Sequence, residues 1–293
     1  MAVSVGVLER AEAATGRYLL VDRLIGGYAA VITVVALTRL HVSTGNWGIA
    51  LAHALILPLI WLVRRPGLGR TGRLLGEIYP IILLLGLYGA LDVLQGPALP
   101  TVHDATVQGW EQALFGGQPS RDWWRTHPSA FWSTLLHAAY WGYYLIVPFP
   151  VILFALRGDR DALRRTILLE MGTFVFCYLW FVFFPVAGPY YTFARPEGAF
   201  VANPAARLVY ATLAGGSSYG AAFPSSHVAA TISAVVATWL GDRRWGRVLV
   251  VPALLLTVGT VYCQMHYGVD ALAGLLTGVT LPTLLARLPR PAA

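Results

Sequence analysis

Eight long apolar runs, separated by short segments that carry most of the charge, dominate this sequence. Crossing a hydrocarbon layer of roughly 30 Å takes about 20 helical residues, and most of the runs approach that length. Because a backbone inside lipid must satisfy its hydrogen bonds within its own segment, such runs fold as helices. The sequence therefore predicts an all-α, polytopic transmembrane bundle of six to eight helices. The runs cover residues 24–40, 47–63, 74–95, 131–156, 166–186, 226–240, 248–266 and 268–286.

The composition favours a membrane protein and excludes a nucleic-acid-binding one. The chain is 57% hydrophobic and only 12% charged, which is about half the charged fraction of a soluble domain. Its net charge is +7, but the 21 basic residues are all arginines that fall in clusters between the apolar runs. Such clusters are typical of loops beside a membrane. We therefore expect the partners to be the bilayer and its lipids, with no nucleic acid among them.

The arginines also predict the orientation of the bundle. With the N-terminus inside, the inner segments hold 16 of the 21 arginines and the outer segments hold four, with Arg39 at a boundary. Inner loops carry an excess of basic residues. We therefore expect a multi-pass protein of a bacterial plasma membrane. His227, His266 and Asp270 are expected at its outer face.

Two outer segments are long enough to form structure of their own. Residues 96–130 contain Trp110, Trp123 and Trp124, and tryptophan favours the headgroup level of a bilayer. These residues predict interfacial helices, and a disordered polar loop is the alternative. Residues 187–225 are rich in Gly, Pro and Ser, and they predict an ordered wall or lid over the membrane face.

His266 and Asp270 are candidates for chemistry because they stand four residues apart at the outer end of an apolar run. On a helix, residues at this spacing share a face. A carboxylate there can accept a hydrogen bond from one imidazole nitrogen, which leaves the other nitrogen free and more nucleophilic. A structural His–Asp pair is the alternative, but ionisable residues at membrane depth are costly and usually functional.

His227 follows Pro224, Ser225 and Ser226, which together predict the start of a helix. The free N–H groups and the dipole at a helix start suit an anion such as phosphate, so Ser225 and Ser226 are candidate phosphate-binding residues. A histidine at that place can donate a proton to a leaving oxygen. A helix cap with an incidental interfacial histidine is the alternative reading.

Residues 224–227 (Pro-Ser-Ser-His) and 266–270 (His-Tyr-Gly-Val-Asp) resemble the second and third signature motifs of the type 2 phosphatidic acid phosphatase superfamily. The resemblance implies a helical membrane enzyme that acts on a lipid phosphate ester without a metal or another cofactor. It further implies that His266 is the nucleophile that forms a phosphohistidine, that Asp270 orients it, and that His227 protonates the leaving alkoxide.

The resemblance covers roughly residues 166–286, so the two parts of the chain carry different expectations. Residues 131–293 are expected to form the catalytic transmembrane core. Residues 1–130 are expected to form N-terminal transmembrane helices and the outer interfacial segment.

The sequence departs from the family pattern at two phosphate-binding cations. Gly188 stands where the first motif has lysine, and Thr260, after Gly259, stands where the third motif has arginine. Arg195 keeps its place in the first motif and is the remaining candidate for a phosphate clamp, with an ordinary interfacial arginine as the alternative. This pattern is most similar to the branch of inositol phosphorylceramide synthase and the sphingomyelin synthases, whose members transfer a phospho-headgroup between lipids.

Other polar residues on the outer side are candidates for contacts with a lipid headgroup, with simple solvation at the interface as the alternative. They are Asp92, His103, Asp104, Tyr190 and Tyr191.

The resemblance therefore favours a lipid phosphotransferase that moves a phospho-headgroup from a phospholipid to a lipid acceptor through a phosphohistidine. The alternative is a lipid phosphate phosphatase that hydrolyses phosphatidic acid-like or polyprenyl phosphates. A transporter that relays protons through the His–Asp pair is disfavoured, because it would need ionisable residues along a path through the membrane.

Overall fold

The computed structural model describes residues 19–95 and 102–288, and within these residues the chain is helical, with no strands. A single isolated bridge joins Val186 and Ala221. The helices are α1 (Leu20–Thr38), α2 (Gly45–Ala54), α3 (Ile56–Val63), α4 (Arg70–Gln95), α5 (Asp104–Phe115), α6 (Pro119–Thr126), α7 (Ala130–Trp141), α8 (Tyr143–Ile146), α9 (Pro148–Arg157), α10 (Arg160–Phe183), α11 (Pro189–Thr192), α12 (Pro204–Gly216), α13 (Ser226–Gly241), α14 (Arg243–Tyr262) and α15 (Gly268–Leu285).

Seven helical segments among the described residues are long and apolar enough to cross a membrane, which confirms the predicted all-α polytopic bundle. They are α1, α2 with α3, α4, α7 to α9, α10, α14 and α15. The α13 helix is apolar but has 16 residues, and at 1.5 Å per residue it spans about 24 Å. The chain is therefore a multi-pass membrane protein, and its expected division at residue 130 stays a prediction.

The predicted span over 131–156 is not one continuous helix but is divided into α7, α8 and α9. The helix ends at Trp141, and α9 restarts with Pro148 at its first position. Proline lacks an N–H and is tolerated at a helix start, so it marks a natural break in a long apolar run.

Ion pairs hold together the end of the bundle opposite His227 and His266, which we call the arginine-rich end. Arg64 pairs with Asp22 at 2.8 Å, joining α1 to the residue after α3. Two further pairs join Arg164 with Glu77 and Arg157 with Asp242. We call the other end, where α13 begins and α14 ends, the cavity end.

Small residues bring α13 and α15 into close contact beneath the cavity end. A Cβ atom at Gly274 would lie 2.6 Å from the Ser225 carbonyl oxygen, and one at Gly278 would lie 2.5 Å from that of Ala229. Glycines four residues apart allow two transmembrane helices to approach closely. This contact fixes the start of α13, which carries His227, against the start of α15, which carries Asp270.

The segments that join the spans at the cavity end contain the short helices α5, α6 and α12. Helices in these segments agree with the predicted interfacial helices. Asp104, at the start of α5, accepts hydrogen bonds from the Ala187 and Gly188 N–H groups and from the Tyr267 hydroxyl, at 2.8, 2.8 and 2.9 Å. The α5 helix is thereby anchored to two segments of the cavity end.

Candidate active site

A tight turn between α14 and α15 positions His266. Gln264 adopts a positive φ of 60°, and the N–H groups of Met265 and His266 both donate to the Thr260 carbonyl at 2.9 Å. The next helix begins at Gly268, immediately after Tyr267. The turn therefore presents His266 at the junction of two membrane helices, where its side chain is buried.

Asp270 forms the cap of α15 and touches His266 from there. Its Oδ2 accepts a hydrogen bond from the Tyr267 N–H at 2.9 Å and lies 3.5 Å from His266 Nδ1. The four-residue spacing predicts that His266 and Asp270 share a helix face. This prediction is wrong, because His266 precedes the helix, which begins at Gly268. The pair instead results from the capping of the helix start, which places a carboxylate beside the imidazole.

The neighbours of His266 determine which of its nitrogens is free. Nδ1 lies 3.1 Å from the Ala222 carbonyl oxygen, and a carbonyl oxygen can only accept a hydrogen bond. Nδ1 therefore carries the proton, and the lone pair of the neutral ring lies on Nε2. Burial lowers the pKa of the His266 imidazole to about 4, so the ring is neutral at pH 7.

The start of α13 holds His227 opposite His266. Ser225 caps the helix by accepting from the Val228 N–H at 3.3 Å, and its own N–H donates to the Asp270 carbonyl at 3.0 Å. The centroids of the two histidine rings are 5.6 Å apart. The two imidazoles are thus brought together by the close packing of α13 on α15, as the sequence motifs led us to expect.

Two tyrosines from the α7–α8 region pack against the His227 ring. The centroid of Tyr140 lies 4.9 Å away in a stacked arrangement, and that of Tyr143 lies 4.5 Å away. His227 Nε2 is 3.3 Å from the Tyr140 hydroxyl, whereas Nδ1 is buried without a hydrogen-bond partner among the described residues. The Tyr140 hydroxyl therefore holds Nε2 of His227, and no described residue forms a hydrogen bond with Nδ1.

Both histidines line a cavity of about 670 Å³ at the cavity end, within the ~300–1,000 Å³ typical of small-molecule sites. Seven tyrosines line it, and Asp92 is its one carboxylate among the described residues. No arginine among the described residues lines it. The tyrosines are Tyr88, Tyr140, Tyr143, Tyr144, Tyr178, Tyr190 and Tyr191.

Residues of α4 and α12 line one side of the cavity. Leu85, in the membrane-spanning part of α4, lines it and is 84% exposed. Leu84 and Gly89 line the same side, and Ala211 and Thr212 line it from α12. An exposed leucine on a transmembrane helix faces lipid, so this side of the cavity adjoins the bilayer.

The cavity contains some of the sequence-predicted site residues and not others. Besides the two histidines, its lining includes Ser226, Asp92, Tyr190 and Tyr191. Ser225 lies beneath it as the helix cap, and Asp270 lies behind His266.

Besides Ser225 and Asp270, three predicted residues lie outside the cavity lining. Arg195 stacks over the Tyr190 ring, with its guanidinium carbon 4.2 Å from the ring centroid. His103 stacks on Phe184 with centroids 4.2 Å apart. The oxygens of Asp104 are occupied by backbone N–H groups and by Tyr267.

The local packing explains why the two family cations are absent. Gly188 has a φ of 92°, and a Cβ atom there would lie 2.9 Å from the Cβ of Ala222. A side chain such as lysine is excluded by both the backbone conformation and the contact. Thr260 is fully buried within the bundle, and a Cβ atom at Gly259 would lie 2.7 Å from the Leu136 carbonyl oxygen. The close packing of α14 on α7 thus excludes a side chain at Gly259, the residue before Thr260.

Glu111 is a neighbour of the site that the sequence analysis missed. Its Oε1 accepts a hydrogen bond from the Val269 N–H at 3.2 Å, at the start of α15, and its Oε2 has no partner among the described residues. Burial raises the pKa of the Glu111 carboxyl to about 7. One sequence pattern could have indicated that Glu111 is buried. It is the helical spacing that places Asp104, Val107 and Glu111 on one side of α5.

Comparison with known proteins identifies the family pattern. The model of a family described as the PAP2 superfamily matches residues 105–282, which is more than half of the chain. No curated protein and no solved structure matches the chain. Within the described residues, no group of three or more His, Cys, Asp or Glu side chains is arranged to hold a metal ion.

Proposed function

This chain belongs to the PAP2 superfamily, and we propose that it transfers a phospho-headgroup between membrane lipids. Membership of the superfamily supports an activity of the phosphatase or phosphotransferase type. The observation that carries this proposal is the cavity itself. It holds two facing histidines, adjoins the bilayer on one side, and has no arginine in its lining among the described residues.

In the first step, His266 Nε2 attacks the phosphorus of a donor phospholipid. A bond forms between nitrogen and phosphorus, and the bond from phosphorus to the oxygen of the lipid backbone breaks. His227, which takes up a proton when the anionic donor binds beside it, gives that proton to the departing oxygen, which leaves as an alcohol. The Ala222 carbonyl and Asp270 support the attack, because they hold Nδ1–H and stabilise the positive charge that develops on the ring.

In the second step, the hydroxyl oxygen of an acceptor lipid attacks the phosphorus of the phosphohistidine. The bond from phosphorus to Nε2 breaks and returns the electron pair to His266. His227 takes the proton of the acceptor hydroxyl and is again protonated, so the cycle is balanced. Water in place of the lipid hydroxyl would give hydrolysis.

The charge of the cavity favours a phosphodiester donor over a phosphate monoester. A monoester carries about −1.5 to −2 at neutral pH, and its displacement depends on positioned cations and N–H donors. The described lining supplies the start of α13 and the histidines, but no arginine. A diester carries one negative charge, so fewer positive groups balance it, and its headgroup stays on phosphorus for transfer.

Hydrolysis of a lipid phosphate is the second candidate, and the position of Arg195 favours it. This side chain is exposed, stacks on the cavity residue Tyr190, and forms no hydrogen bond or ion pair with the described residues. A rotation of the side chain towards the cavity would add the cation that a monoester needs.

A direct competition in vesicles tests the proposal. Purified protein is given a headgroup-bearing phospholipid with diacylglycerol or ceramide, and separately phosphatidic acid or a polyprenyl phosphate, with His266→Ala as the control. We expect headgroup exchange, detected by mass spectrometry of the lipids, to exceed release of inorganic phosphate. Rapid phosphate release from a monoester without headgroup exchange would instead establish the phosphatase.

We also propose that the cavity faces the outside of a bacterial plasma membrane, on the distribution of arginines. On a background without Cys177 and Cys263, a cysteine at position 122 or 198 is expected to react with an impermeant thiol reagent added to intact cells. A cysteine at position 160 is expected to stay unlabelled, and the reverse pattern would place the cavity inside.

A further inference from the structure

We propose that α4 adds to the cavity a binding subsite for an ammonium group, formed by Asp92 with the rings of Tyr88 and Tyr191. The inference rests on the proposed function and names the class of its donor: a phosphodiester lipid whose headgroup carries a primary or quaternary ammonium. The cation would lie at Asp92 while the phosphate lies at the two histidines.

The placement of Asp92 is the first support for this subsite. Tyr88 and Asp92 are four residues apart on α4, which places them on one face of the helix, and both line the cavity. Asp92 lies near the last turn of α4, which ends at Gln95 at the cavity end. Asp92 and His266 therefore line the same cavity.

The missing partner of Asp92 is the second support. Among the described residues, no hydrogen bond or ion pair holds its carboxylate. By contrast, Asp22 and Glu77, the other carboxylates on this N-terminal group of helices, are each paired with an arginine. Asp92 is exposed where it lines the cavity, so its unpaired charge is accessible to a cationic ligand.

The tyrosine wall beside Asp92 is the third support. Tyr191 packs edge-on against Tyr190 and Tyr219, with centroids 4.9 and 5.2 Å apart. Its hydroxyl donates to Ser217 Oγ at 2.7 Å, which holds the ring in place. The Tyr88 hydroxyl accepts from the Ser218 N–H at 3.2 Å. Aromatic rings recognise ammonium groups in proteins, and these two tyrosines line the cavity together with Asp92.

Electrostatics at Tyr191 agree with this placement. Burial raises the pKa of the Tyr191 phenol, and the Asp92 carboxylate adds to that rise while Arg195 opposes it. The field of Asp92 therefore reaches the aromatic wall. Arg195, the nearby cation, forms no ion pair with Asp92 and leaves its charge to be balanced by a ligand.

The charges of the cavity match those of such a donor. A zwitterionic diester offers one negative charge to the histidine pair and the helix start, and one positive charge to Asp92. A phosphate monoester carries no positive group to balance the charge of Asp92. A diester with an uncharged polyol headgroup carries none either. The α4 helix lies outside the matched residues 105–282, so this selectivity would come from the part of the chain that precedes the family match.

Binding to a catalytically inactive protein tests the subsite separately from the reaction. His266→Ala protein in detergent is titrated with dihexanoyl phosphatidylethanolamine, phosphatidylcholine and phosphatidylglycerol, and the change in tryptophan fluorescence is followed. We expect one or both of the two ammonium lipids to bind about tenfold more tightly than the glycerol lipid. Adding Asp92→Asn should remove that preference, whereas Asp161→Asn, an exposed carboxylate at the arginine-rich end, should retain it.

The same lipids are then used as donors for the active protein with and without Asp92→Asn. We expect kcat/KM for the ammonium donors to fall by about tenfold relative to kcat/KM for the glycerol donor. Equal binding of the three lipids, no binding, or a preference that survives Asp92→Asn would overturn the subsite. Selective binding without headgroup transfer would retain the subsite and reject the proposed reaction.

Discussion

Carboxylates at the two ends of this bundle are satisfied in different ways. At the arginine-rich end, the oxygens of Asp22, Glu77 and Asp242 accept hydrogen bonds from arginines. Around the cavity, Asp104 and Asp270 bind backbone N–H groups of the segments that carry the site.

The difference indicates two uses of the same chemical group. An arginine pair joins two helices, and Asp22 and Asp242 also accept from backbone N–H groups at the starts of their own helices. A carboxylate that accepts from backbone N–H groups fixes the turn to which those groups belong, and the Asp270 carboxylate also lies 3.5 Å from Nδ1 of the His266 imidazole. We therefore expect substitutions at the arginine-rich end to reduce stability and substitutions at the cavity end to reduce turnover.

The largest effect is expected from His266→Ala. Covalent catalysis requires the nucleophile, so this variant should lose all turnover and all phospho-enzyme, measured by trapping with a labelled donor. Its midpoint of thermal unfolding in detergent should change little. His227→Ala is the matched control: it should also turn over very slowly, but a donor with a nitrophenyl leaving group should restore some phospho-enzyme. Normal turnover by His266→Ala would identify another nucleophile.

Asp270→Asn comes next, because the amide retains the size of the side chain but removes its charge. We expect kcat to fall by roughly 10²–10⁴-fold, as for the loss of a carboxylate that orients a catalytic histidine. The comparison predicts that this loss occurs in a folded protein. A variant with normal kcat and a lowered unfolding midpoint would show that Asp270 only caps the helix.

Much of the fold, and the core of the site, could be predicted from the sequence, because both depend on local patterns. Hydropathy marks each span, and two apolar runs that form a hairpin return His227 and His266 to one end. The tyrosine wall could not be predicted, since it depends on how α7 and α8 pack against α13. The role of Asp104 was also hidden, because its partners Gly188 and Tyr267 are 84 and 163 residues away along the chain.

The opposite end of the bundle offers the next largest effect, on stability. The Arg64 and Asp22 side chains are only 9% and 1% exposed, and Asp22 also accepts from the Tyr79 hydroxyl at 2.6 Å. Arg64→Ala would leave a buried carboxylate without its cation, which costs about 3–5 kcal/mol. We expect a lower unfolding midpoint with unchanged kcat in the folded fraction.

Arg157→Ala is the control for that prediction. Arg157 is 45% exposed in its pair with Asp242, and exposed pairs contribute about 0–1 kcal/mol. If the two variants have the same stability, the Asp22 pair is not the buried contact that the structure shows.

The smallest effect is expected at Glu111, and it depends on pH. Burial raises the pKa of its carboxyl from 4.5 to about 7, so the folded protein retains this proton at pH values where the unfolded chain has lost it. As the pH rises from about 4.5 to about 7, folding therefore loses the contribution of the neutral carboxyl. Glu111→Gln retains the oxygen that accepts from Val269 and cannot ionise. We expect the unfolding midpoints of the two proteins to be close at pH 5 and that of Glu111→Gln to be higher at pH 8. A difference that is the same at both pH values would show that Glu111 does not titrate in this range and that only its hydrogen bond matters.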